Sequence, residues 1–119
     1  MDELRELQRD YLADVRETIE LIRHHGSSLS SKGTFKSAFP ALLFLAHQLK
    51  GSGGSLGFPR ITDLARRMSE ELNLFLDEQQ SPRPSPAHLA EKLTTISNEL
   101  DDVVTSAQAS LSPAGPIAR

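Results

Sequence analysis

The stretch PALLFLAHQLKGSGG, residues 40–54, sets a run of large apolar side chains against one histidine, one lysine and a cluster of glycines. A helix turns by about 100° per residue. With His47 taken as zero, Leu45 and Leu49 fall about 160° away on either side and Leu42 about 140° away. These leucines make a core stripe, and His47 points away from it, toward solvent. Within about 60° of His47 lie Pro40, Leu43, Phe44, Lys50, Gly51 and, if the helix lasts that far, Gly54. A solvent face is ordinarily charged and polar. This one mixes two large apolar residues with a histidine, a lysine and residues that have no side chain, which is the make-up of a docking surface. Leu43 or Phe44 packing in part against a neighbouring helix is the competing reading. Gln48, next to His47, reads either as a solvated glutamine or as a hydrogen-bonding contact for a partner.

The spacing carries chemistry as well. Lys50 and Gly51 stand at i+3 and i+4 from His47, the positions that neighbour it on a helix surface. Lys50 brings an ammonium within reach of any negative group attached to the imidazole. Gly51 leaves room on the C-terminal side of the ring. A solvent-exposed imidazole is in large part neutral at pH 7 and can act as a nucleophile through a ring nitrogen. A single histidine on an apolar helix is ordinarily a core residue, but the outward projection and the Lys50–Gly51 offsets point the other way here.

Outward from this stretch the chain reads as helices. Leu4, Leu7, Tyr11, Val15, Ile19 and Ile22 form one stripe, which predicts a helix over residues 2–24 that Gly26, Ser27 and Ser28 stop. GSSLSSKGTF, residues 26–35, is small and polar and reads as a loop. Ser37 is suited to cap the second helix, with Pro40 in its first turn. That helix fades among the glycines, each of which costs about 1 kcal/mol relative to alanine. Pro59 suits the start of a third helix. Ile61, Leu64, Ala65, Met68, Leu72, Phe75 and Leu76 carry it to residue 77 or 78. QQSPRPSP, residues 79–86, is a stiff proline-rich break. Ser85 and Pro86 then make the cap and first position of a fourth helix. Its stripe is Leu89, Leu93, Ile96, Leu100, Val103, Val104 and Ala107. SPAGPIAR, residues 112–119, cannot continue a helix and is expected to fray. No segment alternates with period two. The expectation is an all-α antiparallel four-helix bundle occupying residues 1–110 as one domain, with 111–119 as a disordered tail.

Composition narrows the function. At 119 residues the chain suits one domain with one modest core. Hydrophobic residues make up 38% and charged residues 24%, which is globular rather than disordered. The net charge of -3 argues against binding to nucleic acid or to an anionic membrane. There is no cysteine, hence no disulfide framework and no thiolate metal site. MDELRELQRD lacks the apolar core of a secretory signal, and the apolar run 38–46 is too short to span a bilayer. A cytoplasmic location is expected. His24, His25 and His88 form no H-x-x-x-H pair with each other or with His47, so no metal site is expected. The glycines follow a helix and not a strand, and no G-x-x-x-x-G-K-[ST] is present, so they are not a nucleotide loop. Glu70–Glu71 and Asp101–Asp102 read as solvated faces rather than a glycosidase-like carboxylate pair.

AHQLKGSGGSLGF, residues 46–58, resembles the signature of histidine-containing phosphotransfer (HPt) domains, H-x-[LI]-K-G followed by small residues, a glycine and the next helix. His47, Leu49, Lys50, Gly51, Ser52 and Gly57 match it in register. ITDLARRMSEEL, residues 61–72, is similar to the family's following helix. Ser69 stands where that pattern often has an acidic residue, and Glu70 follows. The resemblance implies a four-helix bundle, in agreement with the periodicity. It implies that His47 accepts a phosphoryl group from a phospho-aspartate of a receiver domain, or returns it to one, in a two-component phosphorelay. Lys50 would offset the phosphoryl charge, and Pro40, Leu43, Phe44, Gln48, Gly51 and Gly54 would form the docking face. The expected partners are response-regulator receiver domains or a hybrid histidine kinase, with the chain itself a monomer. The Mg²⁺ would come with the receiver, this chain binding no cofactor. With no ATP site, the chain would not phosphorylate itself. The alternatives are an adaptor bundle that docks a receiver without phosphate passing through it, and a detached piece of a chemotaxis-type kinase.

Overall fold

The computed structural model describes residues 2–29, 32–76 and 85–111. Four helices form: α1 (Asp2–Ser27), α2 (Lys32–Ser52), α3 (Pro59–Leu76) and α4 (Pro86–Leu111). A single 3₁₀ turn (Gly54–Leu56) joins α2 to α3. There is no strand among the described residues. The helices close a ring in which α1 packs on α2 and α4, and α3 on α2 and α4. Tyr11 of α1 meets Ser52 near the end of α2, and Phe39 near the start of α2 meets Phe75 near the end of α3. Arg9 reaches Leu111 while Arg23 reaches Asn98, so α1 and α4 also run antiparallel. The chain is an all-α antiparallel helical bundle.

The core is aliphatic. Leu12, Val15, Ile19 and Ile22 enter it from α1, and Leu42, Leu45, Ala46 and Leu49 from α2. Ile61, Leu64, Ala65, Met68 and Leu72 enter from α3, and Leu89, Leu93, Ile96, Leu100 and Val104 from α4. Each fully buried aliphatic side chain contributes roughly 1.5–3 kcal/mol. The stripe read for α1 is right in its middle and wrong at its start. Leu4 and Leu7 are exposed, with no helix among the described residues covering that face, and Leu12 is buried where Leu7 was expected to lead. Leu76 is likewise exposed at the end of α3, and Ser97 of α4 is buried among the apolar residues.

Several boundaries differ from expectation. α1 continues through Gly26 to Ser27, with Ser27 Oγ and Ser28 Oγ donating to the His24 carbonyl. α2 begins at Lys32, so the predicted loop is shorter than ten residues. Ser37 is therefore inside α2 rather than at its N-terminus, and Pro40 is inside the helix rather than in its first turn. An interior proline costs about 3 kcal/mol through a lost hydrogen bond and a ring clash. Burial of Ala38, Phe39 and Leu42 on both sides of it holds α2 together there. Gly54 lies on the 3₁₀ turn and not on α2. The fourth helix starts as read: the His88 amide donates to Ser85 Oγ at 3.1 Å, the geometry of a serine cap. The predicted end of the third helix at 77 or 78, most of the proline-rich break and the 112–119 tail lie outside the described residues.

A polar seam joins α1 to α4. Arg16 donates to Asp101 at 2.9 Å and also to Thr105 and Gln108, and Arg23 donates to Asn98, Asp101 and Glu20. The hydrogen bond from Arg16, helped by Arg23, holds the Asp101 carboxyl below its ordinary range. On the other side Arg60 and Arg67 both reach Glu99 and fasten α3 to α4.

Candidate functional site

α2 presents two faces. Leu42, Leu45, Ala46 and Leu49 are buried, whereas His47, Gln48, Lys50 and Gly51 are exposed. The helical projection from the sequence is met at Leu42, Leu45 and Leu49 inward and at His47, Lys50 and Gly51 outward. Pro40 is exposed, Phe44 is 60% exposed, and Leu43 is half-buried against the core. Leu43 thus splits its side chain between core and surface, and Phe44 is the large apolar group that the outer face presents. Gln48 lies toward α1, at a shallow cleft that it lines with Tyr11, Asp14, Thr18 and Ser52. His47 makes no hydrogen bond to the described residues, and no described carboxylate pairs with Lys50. An imidazole and an ammonium are therefore left open to solvent on adjacent turns.

The glycines divide by role. A Cβ built on Gly51 meets nothing within 4 Å. Nothing inside the protein calls for a glycine there, although glycine weakens a helix by about 1 kcal/mol against alanine. Gly53 is the opposite case. Its Cβ would lie 2.6 Å from Thr62 Oγ1, 2.9 Å from the Thr62 backbone nitrogen and 3.0 Å from the Phe58 carbonyl oxygen. The start of α3 packs directly on it. The Phe58 amide donates to the Gly53 carbonyl at 2.8 Å and closes the turn. Gly57 takes φ +90°, a left-handed conformation that side chains rarely adopt, and lets the chain enter α3.

α1 holds this turn through contacts that the sequence reading did not assign. Gln8 Nε2 donates to the Leu56 carbonyl at 2.9 Å. The Tyr11 hydroxyl and Ser52 Oγ are 2.9 Å apart, and Ser52 Oγ donates to the Gln48 carbonyl at 2.9 Å. The Tyr11 ring stacks on Phe58, with centroids 5.9 Å apart and 10° between planes. Burial raises the Tyr11 phenol above its ordinary pKa, which the Ser52 hydrogen bond offsets in part, so the phenol keeps its proton at neutral pH. Tyr11 was legible as an apolar position of α1, but nothing in the spacing of a tyrosine or a glutamine on α1 tells which carbonyl or hydroxyl of α2 it will meet.

The remaining histidines stand apart from this face. His24 and His25 close the end of α1 with their rings edge to face at 5.3 Å, and His88 is in the first turn of α4. Among the described residues no group of three or more His, Cys, Asp or Glu side chains gathers to hold a metal ion. No helix among them is long and apolar enough to cross a membrane.

One bundle helix thus turns outward a histidine that no described residue hydrogen-bonds, with lysine at i+3 and an open glycine at i+4. The family model for the Hpt domain matches residues 6–109, and the chain belongs to that family. Hpt domains carry out histidine phosphotransfer in phosphorelays and generally interact with receiver domains and histidine kinases. Comparisons with curated proteins and with solved structures found no match.

Proposed function

We propose that this chain is a phosphoryl carrier whose acceptor is His47, relaying between receiver-domain aspartates. The observation that carries the reading is the exposed His47, without a hydrogen-bond partner among the described residues and with Lys50 and Gly51 one turn on, in a chain of the Hpt family. A ring nitrogen of His47 attacks the phosphorus of the partner's phospho-aspartate. The N–P bond forms, the acyl-phosphate P–O bond breaks, the aspartate leaves as a carboxylate, and the proton on the other nitrogen of the attacking imidazole passes to solvent. Phosphoryl transfer needs chiefly in-line positioning and charge stabilisation, which a small bundle is able to supply. Lys50 offsets negative charge on the transferring oxygens. The receiver brings the aspartate and its Mg²⁺. It docks over Pro40, Leu43, Phe44 and Gln48 and approaches the ring past Gly51, where a Cβ would meet nothing within 4 Å.

The test is incubation of the full chain with a panel of phosphorylated receiver domains. Label that moves to this chain, resists base and is lost in acid is the expected result. Binding without transfer across the panel would replace the carrier with the adaptor reading.

A further inference from the structure

The 3₁₀ turn that follows the His47 helix buries no residue, so apolar burial does not fix its position. Two sets of contacts do. From the α3 side, Thr62 and Phe58 close on Gly53. From the α1 side come the Gln8 bond to Leu56, the Tyr11 stack on Phe58, and a hydroxyl chain from Tyr11 through Ser52 to the Gln48 carbonyl. A serine hydroxyl has one proton. With that proton on Gln48 O, Ser52 Oγ must accept from Tyr11, so the phenol is the donor. A serine that bonds back to the i−4 carbonyl tends to bend its helix. Here the same hydroxyl is tied to a neighbouring helix, and the last turn of α2 is pinned to α1.

We propose that Tyr11 and Ser52 are positioning residues: their hydroxyl chain holds the segment from Gly51 to Phe58 in the register that lets a docked receiver reach His47. The proposal rests on the phosphotransfer reading. Neither side chain touches the imidazole in the described contacts, and both act through the carbonyl of Gln48, the residue beside it. The pair therefore matters to a donor that docks over the turn, and not to one small enough to need only the ring.

The full chain is compared with Tyr11→Phe, Ser52→Ala, their combination, and Ser52→Thr, which restores a hydroxyl able to back-bond. Tyr11→Phe keeps the ring on Phe58, so the fold survives. Amide hydrogen exchange over residues 51–58 should run about fivefold faster in each single variant, the factor for one hydrogen bond. The double variant should lose no more than a single one, and Ser52→Thr should restore protection. Phosphorylation is then followed with two donors: phosphoramidate, and the phosphorylated receiver that labels the wild type fastest. The receiver rate should fall about fivefold and the phosphoramidate rate should hold. Unchanged exchange at 51–58, or equal slowing with both donors, overturns the proposal. A wild type that takes no label from any receiver overturns the phosphotransfer reading and the pair's role with it. A labelled wild type with unaffected variants overturns the pair's role alone.

Discussion

Gly51 and Gly53 are two residues apart at the end of one helix, and opposite surroundings surround them. Gly53 is buried under the first turn of α3, where a methyl group would strike backbone atoms of Thr62 and Phe58. Gly51 faces open space. Gly53 serves the fold, since the α2–α3 turn must shift to admit any larger residue there. Gly51 does nothing for the fold and weakens it slightly. The same division runs along the rest of α2, with Leu45 and Leu49 packing inward while His47 and Lys50 face out with no partner among the described residues. Fold and proposed function thus occupy opposite sides of one helix and are open to separate disruption.

The largest effect on stability is expected at Gly53. Gly53→Ala forces the close contact with Thr62 and should lower unfolding stability by about 1–3 kcal/mol, the range for overpacking, read as a lower urea midpoint. Gly51→Ala should move the other way, raising stability by up to about 1 kcal/mol in the same titration. It should also slow transfer from a receiver, because its methyl group narrows the partner's approach to the imidazole. A variant that is neither more stable nor slower would erase the contrast between the two positions.

Lys50→Ala sharpens the functional side of the comparison. An exposed charge contact is worth about 0–1 kcal/mol, so transfer should slow by at most about fivefold and persist. Complete loss in a kinetic assay would mean that Lys50 does more than offset charge. The smallest effect belongs to the distant α1–α4 seam. Arg16 and Arg23 favour the ionised form of Asp101 in the folded chain. Its contribution is therefore present above the ordinary carboxylate range and is lost as pH falls below about 4. Asp101→Asn should flatten the acid side of the stability–pH profile and leave phosphotransfer at neutral pH unchanged.

The parts legible in the sequence are those that depend on periodicity. The four helices, the inward Leu42, Leu45 and Leu49 and the outward His47 follow from a turn of about 100° per residue. The Ser85 cap follows from local hydrogen-bond chemistry. Where long-range packing decides, the residues were silent. Pro40 argued locally for a helix start, yet buried neighbours on both sides carry α2 through it. Leu4 and Leu7 continue the apolar stripe of α1 but extend past the helices that would cover them. The distinct duties of Gly51 and Gly53 depend on how closely α3 approaches, and the Tyr11–Ser52 bond depends on the register of α1 against α2.

The most direct measurement is phosphoryl acceptance by His47→Gln beside the wild type, each exposed to the same phosphorylated receivers and each followed by urea unfolding. Because His47 is exposed and has no partner among the described residues, the variant should unfold at the wild-type midpoint and take no acid-labile, base-stable label, while the wild type is labelled. Acid-labile label retained on the variant would contradict the assignment of His47 as the phosphoryl carrier.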